Sequence, residues 1–306
     1  MPITEFGKNI LVTVDLADDW NNVVEHAARF AQMSGAGLTL LHIIEEPSSS
    51  LKRSMAKKAL QVHQQRLRTD AKVRVEEVAA EQRAAGVDCA VKISSGKASK
   101  EIVKASVALG SGLIVAGAGE TEGSDWLFVG TTADRLIRNS KVPVLMVGRE
   151  RDEPLKRILV PTDFDRADRG ALKLASKIGR EGKGRVSVFH TFAQPSILHG
   201  YSGNVAELRR TAKAQATKDL DEFVSKTKLP ARAKPPHKLL KAHSGTVHAA
   251  EAIVSEASRL NMDLIVMALG GLTFLESFMI GAVAERVIRN LPCSLLALPT
   301  AWARKR

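Results

Sequence analysis

Residues 114 to 139 read IVAGAGETEGSDWLFVGTTADRLIRN: an apolar run, a glycine-rich loop and then a helical pattern. In that succession, backbone N–H groups and a helix N-terminus can collect an anion, so phosphate binding is the chemistry it offers. Gly117 and Gly119 open the dinucleotide fingerprint GxGxxG, but the third glycine comes one residue late, at Gly123, with Glu122 in its place. GxxxxGK[ST] occurs nowhere, which excludes the common P-loop. SGGxDS, HxGH and GxSxG are absent too, and no nucleophile stands with a base and an orienting acid. His237, His243 and His248 lack metal-ligand spacing. The stretch reads as a binding loop, with no catalytic or metal-ligating residue assigned.

The loop has an echo. Residues 265 to 290 read IVMALGGLTFLESFMIGAVAERVIRN, and an ungapped alignment at an offset of 151 leaves nine of 26 positions identical, including Gly130/Gly281 and a closing RxIRN. Outward from there, KNILVTVD (8 to 15) matches KRILVPTD (156 to 163), and TLLHII (39 to 44) matches SVFHTF (187 to 192). The chain is therefore two copies of one unit. The join falls in the charged sequence RERDEP, which predicts domains at 1–150 and 151–306. In the first copy, strands rich in Val, Ile and Leu are predicted near 9–15, 37–44, 89–94, 112–117 and 143–147, with a long polar helix over 55–85. Uninterrupted apolar strands alternating with helices imply a parallel sheet with right-handed crossovers. The predicted fold class is α/β: two tandem doubly wound domains, each a five-stranded parallel sheet flanked by helices. Its crevice lies beyond the carboxyl ends of the strands, where Asp15 and Asp163 end the first strand and the glycine loops follow the fourth.

The net charge of +12 is uneven: residues 1–150 hold 19 Lys+Arg against 18 Asp+Glu, and residues 151–306 hold 26 against 15. Much of the excess lies in KTKLPARAKPPHKLLK (226 to 241) and the final ARKR, runs that read as solvated loop and terminus. With aromatic residues at 4% and no recognition motif, the balance does not make a case for nucleic acid. The uncharged stretch Ala105 to Gly119 has 15 residues and four glycines, too short to span a membrane. No signal-peptide pattern opens the sequence, and two cysteines make no disulfide framework, so a cytoplasmic location is expected.

Taken together, ILVxxD, an LH pair ending the second strand, SG before the third helix, DLIVM at Asp263 to Met267 and the AERVIRN helix resemble the universal stress protein family in its tandem form, over nearly the whole chain. The resemblance implies an adenine nucleotide alpha hydrolase-like fold and, in the members that bind ATP, a motif GxxGx9G[ST]. In the first copy that motif falls on Gly117, position 120, Gly130 and Thr131, but position 120 is glutamate; Gly119 would take its role after a one-residue shift. Thr131 and Thr132 either cap the next helix or bind phosphate oxygens. In the second copy the motif falls on Ala268, Gly271, Gly281 and Ala282, so the first glycine and the terminal hydroxyl are missing.

By the same resemblance Asp15 and Asp163 accept hydrogen bonds from adenine or ribose, the alternative being a carboxylate that caps a turn. Ile43, Ile44 and Ala116 line an adenine pocket, or are plain core. His42 and His190, which recur at the aspartates' offset of 148, read as packed, hydrogen-bonded residues; Gly96 and Gly245 read as tight strand-to-helix turns. The expected ligand is ATP, with or without Mg²⁺, held by the N-terminal domain in preference to the C-terminal one. The expected role is a stress-response sensor or adaptor with at most slow ATP hydrolysis, acting through protein partners still to be identified. The alternative is a family member that works by protein association alone. Intramolecular pairing of the domains through VPVLMV (142 to 147) and CSLLAL (293 to 298) would hide two sheet edges, and a homodimer is compatible with it.

Overall fold

A strand hydrogen-bonded on both edges and covered by helices on both faces must be apolar throughout, and the central strands of this chain are. The computed structural model describes residues 2–16, 20–45, 57–120, 127–128, 130–148, 155–193, 205–243, 248–270 and 281–306. The chain divides into two compact units, Met1–Ala118 with Gly130–Val147, and Gly119–Val129 with Gly148–Arg306.

In the first unit the chain runs β1 (Asn9–Thr13), α1 (Trp20–Ser34), β2 (Gly37–Ile44), α2 (Lys57–Ala84), β3 (Cys89–Ser95), α3 (Ala98–Ala108) and β4 (Leu113–Gly117). A two-residue antiparallel ladder, β5 (Gly119–Glu120) with β6 (Leu127–Phe128), comes before α4 (Thr131–Asn139) and β7 (Val144–Val147). The sheet is parallel in the order β3-β2-β1-β4-β7. Registers of Asn9 with Gly37 and Ile10 with Leu113 leave the carboxyl ends of β1, β2 and β4 side by side, with the order reversing between β1 and β4. Ile10, Leu11, Val12, Leu113, Ile114 and Val115 are fully buried, as are Phe6 and Phe30, whose rings meet edge to face at 5.5 Å. The predicted strands lie where they were expected, and their ends have local causes. β1 stops short of Asp15 because Leu16 turns left-handed (φ 63°); β7 starts after Pro143, which has no N–H to give a ladder. The long polar helix is α2, whose buried stripe among the described residues is Ala71, Val75 and Ala79, spaced by four.

The second unit repeats the plan with β8 (Arg157–Pro161), α5 (Arg166–Glu181), β9 (Arg185–Ala193), α6 (Val205–Lys226), β10 (His237–His243), α7 (His248–Arg259), β11 (Leu264–Ala268), α8 (Ala282–Arg289), β12 (Ser294–Leu298) and a last short helix, α9 (Thr300–Ala303). Its parallel order is β10-β9-β8-β11-β12. α9 closes against α5, tied by Arg304 to Asp165 at 2.9 Å and by Lys173 to the Arg306 carbonyl at 2.8 Å. Gly170 makes that approach feasible, because a Cβ there would sit 2.1 Å from the Ala303 carbonyl oxygen. Gly170→Ala is therefore expected to lower stability by about 2 kcal/mol, as overpacking does, with an unchanged urea m-value. A midpoint equal to that of the parent chain would show that α9 moves away without cost.

Candidate functional site

In a β–α–β crossover the helix runs back against its strands, so its N-terminus opens at their carboxyl end. That geometry sets the start of α4 beyond β4, at the same end of the first sheet as Asp15 and Ile43. Asp15 is exposed and Ile43 half-buried, whereas Ile44 and Ala116 are core. The left-handed Leu16 that follows Asp15 is pinned by Arg74 of α2, which donates to its carbonyl at 3.1 Å. Gly117 is exposed, with Val23 Cγ2 at 3.4 Å from where its Cβ would be.

Gly130 is the N-cap of α4, with extended backbone (φ −60°, ψ 163°), and no side chain caps the helix. Thr131 and Thr132 are thus its first two residues, which replaces the capping role that their hydroxyls suggested. The helical ladder begins with Asp134 N–H donating to the Gly130 carbonyl at 3.0 Å, so the N–H groups of residues 131 to 133 precede it. Among the described residues, nothing lies within 4 Å of where a Cβ at Gly130 would be. The helix start is an electropositive end of the kind anions seek. Gly119 and Glu120 occupy β5, paired with Phe128 and Leu127, in the segment that groups by contact with the second unit. The continuous boundary expected near residue 150 thus differs from the division by contact.

The second copy presents a different surface at the matching place. Gly281 caps α8 with the same backbone (φ −61°, ψ 146°), but its N–H donates to the Leu269 carbonyl at 2.9 Å, and Ala268 and Leu269 are buried. Among the described residues the Gly130 N–H has no such partner. Ala282 brings no hydroxyl. Gly271 lies outside the described residues, as does Gly245; the side chains of His243 and His248 do too, while His237 is exposed on β10. Gly96, by contrast, is left-handed (φ 140°) at the turn into α3, as its position suggested.

The recurring histidines are packed anchors. His42 Nδ1–H donates to the Val14 carbonyl and His190 Nδ1–H to the Thr162 carbonyl, both at 2.8 Å, tying the end of the second strand to the turn after the first. Asp163 is exposed like Asp15, but its turn is braced by a residue that sequence reasoning missed. Asp168 Oδ2, buried on α5, accepts from the Asp163 N–H at 3.0 Å and the Thr162 hydroxyl at 3.1 Å, while Thr162 Oγ1 accepts from the Phe164 N–H at 2.9 Å. Burial, then the hydrogen bond and charge of the adjoining Asp163 carboxyl, push Asp168 well above the usual carboxylate range. Phe164, left-handed at φ 74°, lays its ring 4.2 Å from His190 and 5.7 Å from Phe223. Burial alone would raise Asp165 at the start of α5; its bonds to the Arg304 guanidinium and the Arg166 N–H hold it below the usual range instead.

Among the described residues no group of three or more His, Cys, Asp or Glu could hold a metal ion, and no helix is long and apolar enough to cross a membrane. The thiol of Cys89 is buried, and that burial pushes it up to about 11.

Comparison with known proteins follows the same division into two. The model of the universal stress protein family matches residues 7–148 and again 154–299. A universal stress protein of Methanocaldococcus jannaschii is 28% identical over 156 residues, 49% of this chain and 85% of that protein. Among solved structures, a universal stress protein from Archaeoglobus fulgidus is similar with a TM-score of 0.63 at 20% identity, covering 96% of this chain and 98% of that one. A candidate member from Pseudomonas aeruginosa gives a TM-score of 0.69 at 18% identity, covering 97% and 95%. At such identities the structural likeness speaks for the fold alone, but the family model spans both repeats from first strand to last: the chain belongs to the universal stress protein family, with two of its domains in tandem.

Proposed function

We propose that this protein binds ATP in its N-terminal domain and serves as a cytoplasmic sensor or adaptor whose association with other proteins depends on the nucleotide held. The observation that carries the reading is the contrast between the two helix starts: among the described residues the Gly130 N–H has no backbone partner, with two hydroxyls beside it, whereas the Gly281 N–H is closed onto Leu269. The residues present fit the ligand in the first domain. N–H groups at the start of α4, with the Thr131 and Thr132 hydroxyls, would hold phosphate oxygens, and Asp15 and Ile43 would receive the ribose and base. Asp163, Gly271 and Gly281 of the second domain would not form an equivalent site, since no hydroxyl follows Gly281 and buried Ala268 stands where the motif has glycine. Loop and helix dipoles without a positioned base support slow hydrolysis at most.

The closed second site favours one rival, a family member that works by protein association alone. Mass spectrometry of small molecules released from freshly purified protein, then calorimetric titration of ATP with and without Mg²⁺, separates the two. Adenine nucleotide carried through purification, or saturable heat at one site per chain, is the expected result. Empty protein that gives no heat with millimolar ATP and Mg²⁺ would leave the rival.

A further inference from the structure

The second unit holds a cavity of about 380 Å³ on the α6 side of β9 and the edge strand β10, toward their carboxyl ends. Its floor is apolar, made by Phe192, Leu240 and Ala242, and its wall is the face of α6 that carries Arg209, Arg210 and Lys213. Among the described residues no carboxylate lines it. On the same elements Lys226 pairs with Glu222, Lys238 with Asp221 and Lys241 with Glu256, while Lys218 of α6 has no ion pair among the described residues. The three at the cavity have no carboxylate partner among the described residues, and Arg209 and Lys213, four apart on one helix, repel each other. An anion between them would relieve that repulsion.

We propose that this cavity binds a small organic phosphate whose apolar body rests on Phe192, Leu240 and Ala242 and whose phosphate is held by Arg209, Arg210 and Lys213. A phosphate monoester carries up to two negative charges, which suits three cations, and guanidinium forks match its oxygens. The volume suits a body of one or two rings, at the lower end of small-molecule sites. The site is independent of the ATP site proposed for the first domain.

The probe is 1-naphthyl phosphate, titrated by its fluorescence against the full chain, with inorganic phosphate and neutral 1-naphthol as controls. Saturable binding of the probe, at least about tenfold tighter than either control, is expected, because charge and apolar contact both contribute. The exposed cations can be changed without opening the core, so the triple variant Arg209→Gln/Arg210→Gln/Lys213→Gln should fold and lose about tenfold or more in affinity, while Gly130→Ala leaves binding unchanged. Equal affinity in the triple variant, a control as tight as the probe, or loss of the probe in Gly130→Ala would each overturn the assignment.

Discussion

Gly130→Ala is expected to weaken ATP binding by roughly tenfold to a hundredfold while leaving the unfolding midpoint within experimental error of the parent chain. The added methyl suits the backbone, since φ is −60°, and among the described residues a Cβ would meet nothing within 4 Å. The open space that makes the substitution harmless to the protein is the space the proposal gives to phosphate oxygens. A methyl group there pushes the anion off the N–H groups at the start of α4, which are strong donors only at hydrogen-bond distance. Overpacking of this kind costs about 1–3 kcal/mol, which sets the range of the expected loss. Gly281→Ala is the internal control, since that N–H is already spent on the Leu269 carbonyl. Calorimetry of both variants decides it. Unchanged affinity in Gly130→Ala would move the nucleotide off this helix start, and a loss confined to Gly281→Ala would transfer the site to the second domain.

What could be read in advance follows from where the physics is local. A strand such as ILV at 10 to 12 is apolar because both of its faces are covered, and that leaves a mark in the sequence wherever it occurs. His42 and His190 were legible as structural because a repeated strand-end histidine has the same carbonyl within reach each time. Asp168 left no such mark. At the offset of 148 its counterpart is Trp20, itself buried, so the comparison of copies that exposed Asp15 and Asp163 passes over it. The closure of Gly281 onto Leu269 is equally silent, since Gly130 and Gly281 are the same residue type in the same backbone conformation. The basic cavity needs the parallel pairing of β9 with β10 to bring Leu240 and Ala242 beside Phe192. No window of sequence contains both its floor and its wall.

Asp168 carries the second large effect, one whose sign depends on pH. Its folded carboxyl is raised by burial and by Asp163, while in the unfolded chain it titrates near the ordinary value of about 3.9. Above that pH, and until the folded value is passed, the folded protein holds a proton at Asp168 that the unfolded chain has released. Stability therefore falls as pH rises through the window. Asp165 works the other way: its folded value is lowered, so its contribution is present above the unfolded value and is lost on acidification through the folded one. Comparing Asp168→Asn with the parent cancels Asp165. Asparagine stays neutral, keeps an oxygen for the Asp163 N–H and the Thr162 hydroxyl, and offers its amide to the Asp163 carboxyl. Its stability relative to the parent should rise with pH above about 4, the ordinary carboxylate value, and level off once the raised folded value is passed. Asp168→Ala strands the hydroxyl of buried Thr162 and should cost about 1–3 kcal/mol in the acid range, where the parent is protonated. Urea titrations of the three proteins as a function of pH test both statements. A difference between Asp168→Asn and the parent that does not change with pH would mean that Asp168 ionises in the fold as readily as in the open chain, and that the turn bearing Asp163 is held by a charged carboxylate.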